Sequence, residues 1–136
     1  MQSVPLAHAD QVLRAALSAA RARGLPPMSV AVVDAGGHLQ CAAREDGGNL
    51  GGIDIAAGKA RAAVSFRCSS RQIADALAGN PQATASVLSV LAARLVLLPG
   101  AVPLLSAEGE IIGAVGAAGA SPDQDEAIVA TAATIR

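Results

Sequence analysis

The stretch Ser29-Val-Ala-Val-Val-Asp34, Ala35-Gly36-Gly37, His38-Leu-Gln-Cys-Ala-Ala-Arg44 decides the fold. Two strand-forming runs flank a glycine pair able to supply the positive φ of a tight turn, so 29–34 and 38–44 read as an antiparallel hairpin. In the first run Val30 and Val32 point to one side and Ala31 and Val33 to the other. Neither face is polar, so both must be covered, and that requirement predicts three layers.

Outward from this hairpin, helical periodicity accounts for much of the chain. Leu6, Ala9, Leu13, Ala16, Leu17 and Ala20 recur at helical spacing, with Pro5 at a first-turn position and Gly24, Pro26 and Pro27 as the stop, giving a helix over about 5–23. After the loop holding Gly47, Gly48, Gly51 and Gly52, the residues Ile53, Ala56, Ala57, Ala60, Ala63 and Val64 predict a second helix ending near Arg67. Ser69 with Gln72 forms a capping-box pattern for a short helix closed by Gly79. Asn80-Pro81 opens a further helical stretch to about Ala93, and Leu95 to Leu98 is expected to turn into strand. Val102 to Ser106 and Ile111 to Ala118 are apolar strands across a hairpin-like turn. Ser121-Pro122-Asp123-Gln124 then caps a helix from 122 to about 135, with Asp125 and Glu126 suited to its dipole. The order is helix, two strands, two or three helices, three strands, helix: an antiparallel sheet with helices on both faces.

Composition narrows the function classes. A chain of 136 residues with 52% hydrophobic and 15% charged residues reads as one domain spanning 1–136 and excludes disorder. A net charge of −1 and 1% aromatics leave neither a basic field nor stacking platforms, so no nucleic-acid partner is expected. Asp10, Arg14, Arg21 and Arg23 interrupt the first helix, which therefore resembles neither a signal peptide nor a membrane span. The expectation is a soluble, cytoplasmic protein without a membrane partner. Cys41 and Cys68 lack metal or redox spacing and read as small buried thiols. Gly113, Gly116 and Gly119 do not sit in a strand, GxGxxG turn and helix order, so they read as sites of close approach to a strand rather than as a phosphate loop.

Few residues can carry chemistry. Lys59 is the sole lysine, with its stem along the apolar stripe of Ile55, Ala56, Ala62 and Ala63. It suits a ligand carboxylate or an amine base; the alternative is a snorkelling lysine or a structural pair with a core-edge acid such as Asp34 or Asp54. Gly58 beside it lowers helix propensity and predicts close packing against the backbone. Arg44 ends a strand beside the glycine loop, where its fork would hold a carboxylate or bridge to Glu45, Asp46 or Asp54. These features predict a pocket for an anionic small molecule formed by Arg44, Lys59 and loop 45–52. His8, in the first turn of the first helix, is either a metal ligand or an ordinary surface histidine, and His38 beside the turn is expected to face solvent. No GxSxG and no Ser-His-Asp order supports a hydrolase.

Three ordered blocks, VAVVDAGGHLQCAAREDG (30–47), IDIAAGKARAA (53–63) and PGAVPLLSAEGEIIGAVGAAGASPDQDEAIVA (99–130), resemble the GlcG/HbpS family. It is also known as the DUF336 or haem-degrading family and includes the C-terminal domain of PduO-type proteins. The resemblance implies a profilin-like α/β/α sandwich with a five-stranded antiparallel sheet, assembled into homo-oligomers from dimers to octamers. It implies haem as cofactor, with His8 matching the first-helix histidine of some haem-binding relatives and serving as metal ligand. Arg44, Lys59 and Gly100 fall at the family's other marked positions and complete the implied cofactor-binding set. Catalytic residues are not assigned by the resemblance. The competing class is a small pathway enzyme of isomerase or tautomerase type, or a binding protein for a small carboxylate metabolite, with Lys59 as acid or base and Arg44 as anchor.

Overall fold

A computed structural model describes residues 2–91 and 94–136. The elements run α1 (Leu6–Ala22), β1 (Ser29–Asp34), β2 (Leu39–Arg44), α2 (Gly52–Phe66), α3 (Ser70–Leu77), α4 (Pro81–Val90), β3 (Ala101–Leu105), β4 (Ile111–Ala118) and α5 (Pro122–Ala132). The sheet order is β2-β1-β4-β3, with every neighbouring pair antiparallel. The two strands without a polar face, β1 and β4, are the central pair, with Val32 opposite Val115 and Val30 opposite Ala117.

Both faces are covered, as the all-apolar β1 requires. Val30, Val32, Val115 and Ala117 pack beneath α1 and α5 with Val12, Ala16, Ile128 and Val129. On the opposite face Ala31, Val33, Ala114 and Ala118 meet the alanines of α2, among them Ala56, Ala60 and Ala63. Small residues bring this second layer very close: a Cβ built on Gly116 would lie 2.2 Å from the carbonyl oxygen of Ala56. Side chains at that contact have no room, which is why α2 and β4 are built from alanine and glycine.

The sheet has four strands among the described residues, not five. Residues 95–98, expected as strand, run as irregular chain over α2. Leu95 is buried with Ala62 and Ile73, and Val96 presses on Gly58, whose added Cβ would lie 2.6 Å from Val96 Cγ2. The segment therefore completes the cover over the α2 layer instead of extending the edge at β3, where Pro103 lacks the N–H that a further ladder would use. The expected helix from Pro81 ends at Val90, and its forecast end, Ala92 and Ala93, lies outside the described residues. Both capping boxes form, Ser69 with Gln72 and Ser121 with Gln124. Cys41 and Cys68 are free and only half-buried. No helix among the described residues is long and apolar enough to cross a membrane.

Candidate functional site

Lys59 sits on the sheet-facing side of α2 and is only 2% exposed. Its Nζ donates to Asp125 Oδ2 at 2.9 Å and to the carbonyl of Ala117 at 3.0 Å. Asp125, equally buried, stands one turn into α5, where the Ser121 cap fixes the start of the helix and turns this carboxylate inward. Its Oδ1 accepts the Ala120 N–H at 3.0 Å. Burial pushes the Asp125 carboxyl up, against the hydrogen bond and charge of Lys59 and the Ala120 N–H, which favour the carboxylate. Gly100 closes the other side: a Cβ there would lie 2.8 Å from Lys59 Nζ.

This pair corrects two expectations. The partner of Lys59 is Asp125, which the sequence presents only as a complement to a helix dipole, and neither Asp34 nor Asp54. Nor do Lys59 and Arg44 share a cavity among the described residues, because the ammonium is turned beneath β4 into α5. Arg44 is exposed and donates from Nη1 to the Gly48 carbonyl at 3.0 Å. It lines a shallow hollow of about 430 Å³ with Arg21, Pro27, Glu45 and Asp46. The acid beside it is engaged elsewhere: Glu45 pairs with Arg21 at 2.9 Å and accepts the Met28 N–H.

His8 occupies a different place. It is half-buried in the first turn of α1, and its Nε2 lies 2.8 Å from the carbonyl oxygen of Ile135. A carbonyl only accepts, so Nε2 carries the proton, and in the neutral ring Nδ1 holds the lone pair. A groove of about 500 Å³ runs past this imidazole, with Leu105 and Ile112 as apolar walls and the charged Arg136 and Glu108 also in its lining. Arg136 Nη1 donates to the carbonyls of Leu105 and Ser106, leaving the remaining guanidinium N–H groups for an anion. Arg136 and the Ile135 carbonyl have no local signature, because they reach His8 from the other end of the chain. Arg44 does not join them: it lines its hollow together with Arg21, which stands about 20 Å from His8 along α1 at 1.5 Å per residue. Among the described residues no three His, Cys, Asp or Glu side chains cluster as a metal site. A haem iron needs only one protein ligand, so a single imidazole suffices for that group and not for a bare metal ion.

Residues 4–134 match the family described as haem degrading protein HbpS-like. A 15.0 kDa protein from the dhaT-dhaS intergenic region of Citrobacter freundii is 33% identical over 107 residues, covering 78% of this chain and 73% of the relative. Three solved structures share the fold. A double mutant of Streptomyces reticuli HbpS superposes with a TM-score of 0.86 at 32% identity, over 99% of this chain and 88% of its own. Klebsiella pneumoniae ORFY gives 0.89 at 27% identity, over 99% and 91%. A complex of PduOC with haem gives 0.85 at 27% identity, over 98% and 95%.

Proposed function

The chain belongs to the HbpS-like family, and from that premise we propose that it is a small cytoplasmic haem-binding protein that takes the group in the His8 groove. The observation that carries the proposal is the hydrogen bond from His8 Nε2 to the Ile135 carbonyl. It fixes the ring and leaves the Nδ1 lone pair unused, the arrangement typical of a metal-binding histidine whose second nitrogen donates to a backbone carbonyl. The donor set suits haem: an imidazole for iron, apolar Leu105 and Ile112 for the macrocycle, and the Arg136 guanidinium for a carboxylate. Bound there, haem would supply the redox chemistry of its iron. The chain's own residues hold and orient: Ile135 sets the tautomer of His8, Leu105 and Ile112 exclude water, and Arg136 offers its unused N–H groups. Lys59, held in its internal pair, is not open to a propionate or to a substrate as acid or base.

The same family likeness supports reading the chain as one subunit of a homo-oligomer, a dimer or higher. Leu50, 98% exposed, would gain cover in such an assembly.

Haemin titration tests the site. A saturable Soret band at one haem per chain is expected, weakened at least tenfold in His8→Ala and by roughly tenfold in Arg136→Gln, the loss of one hydrogen bond to a charged group. A band of unchanged affinity in His8→Ala would remove His8 as the ligand, and no saturation at low micromolar haemin would refute haem binding.

A further inference from the structure

On the α2 side of the sheet, away from the His8 groove, a second hollow of about 380 Å³ opens between the β1–β2 turn and the end of α4. Arg61 of α2 and Arg94 beyond α4 line it together with His38, while Val90, Leu91 and Leu95 form its apolar side. Arg61 Nε is buried and has no hydrogen-bond partner among the described residues. Six ion pairs join described residues, holding Arg14, Arg21 and Arg71, and none includes Arg61 or Arg94. A buried donor left unmade is destabilising, and native structures seldom keep one without a reason.

The acid beside the hollow does not supply the partner. Asp34 Oδ1 accepts the backbone N–H groups of Gly36 and His38, both at 2.9 Å, and lies 3.3 Å from His38 Nδ1. The Gly37 N–H is likewise occupied, by the Asp34 carbonyl. Asp34 and the turn amides are therefore engaged, and among the described residues the Arg61 and Arg94 guanidinium groups that line the hollow have no acidic partner. Two guanidinium forks without an ion pair among the described residues on one side, and aliphatic side chains on the other, describe a complement to an amphipathic anion.

We propose that this hollow binds a small organic carboxylate, its head paired with Arg61 and Arg94 and its hydrocarbon body laid on Val90, Leu91 and Leu95. A planar carboxylate matches the outer Nη edge of the Arg61 fork, beside its buried Nε–H, and a bare inorganic anion would leave the aliphatic wall unused. The site is separate from the His8 groove in both position and chemistry: it contains no residue of that groove and takes no metal.

The experiment is an NMR titration of the full chain with hexanoate, following the arginine Nε–H signals, with acetate, hexanol and inorganic phosphate as comparison probes. The Arg61 signal, assigned by its loss in Arg61→Met, should shift saturably with hexanoate. Each methylene added from acetate to hexanoate and buried should tighten binding by about fourfold. Hexanol and phosphate should bind more weakly than hexanoate. Arg94→Gln alters an exposed side chain that is free to change without disturbing the core, and it should weaken hexanoate at least tenfold. Equal hexanoate affinity in wild type and Arg94→Gln would overturn the proposal. So would phosphate binding tighter than hexanoate, or an Arg61 signal unmoved by any carboxylate in a chain that circular dichroism shows to be folded.

Discussion

Replacing Lys59 by Met keeps the unbranched stem against α2 and removes only the ammonium, so the experiment isolates the internal ion pair. The loss falls on Asp125, which is left buried with the Ala120 N–H as its one remaining donor, and on the Ala117 carbonyl, which loses the Lys59 N–H. Removing one partner of a buried pair destabilises by about 3–5 kcal/mol, against a total of about 5–15 kcal/mol for a domain. Protonation limits the damage. Asp125 already sits above its ordinary value of 3.8 because of burial, and without Lys59 its carboxyl rises further. A carboxyl raised in the folded state stabilises fully below its unfolded value, and that contribution is lost as pH rises through the folded one. The Lys59→Met deficit should therefore be smallest below pH 3.8 and greatest near neutrality. Urea unfolding followed by far-ultraviolet circular dichroism is the assay, since the chain has no Trp or Tyr for fluorescence; protomer concentration must be held constant. The double variant Lys59→Met, Asp125→Leu should recover most of the deficit by removing the stranded charge. A deficit below about 1 kcal/mol at pH 7, the range of a solvated pair, would refute the buried-pair reasoning.

Gly116→Ala should destabilise by about 1–3 kcal/mol in the same assay, because its Cβ would enter the space of the Ala56 carbonyl at 2.2 Å and force α2 off the sheet; an unchanged midpoint would show that the layers are not in contact there. Partial burial pushes Asp34 up, but the N–H groups of His38 and Gly36 and the His38 imidazole hold it below 3.8 overall. Its contribution is thus present above that value and lost as pH falls through the lower folded one, and Asp34→Asn should show a shallower loss of stability than wild type in acid titration below about pH 4. Sedimentation at micromolar concentration should give a dimer or larger species, and a 13.3 kDa species would contradict the oligomer.

The run 29–34 by itself required a two-sided cover, and the apolar run 111–118 required the same, so the three layers and the central place of β1 and β4 follow from residue pattern alone. Local signals were sufficient for the caps as well, since a Ser and a Gln three residues apart meet within one turn. Gly58 announced a close neighbour without naming it; Val96 is that neighbour, and its position over α2 is what takes 95–98 away from the sheet. The functional groups follow the opposite rule. Lys59 meets Asp125 across 66 residues, His8 meets Ile135 across 127, and Arg61 of α2 shares its hollow with His38 of the β1–β2 turn and Arg94 beyond α4. Periodicity and capping are interactions of near neighbours and can be read along the chain. Which distant carboxylate answers a buried ammonium, which carbonyl fixes an imidazole and which guanidinium goes unanswered depend on how the layers stack, and that only the tertiary structure decides.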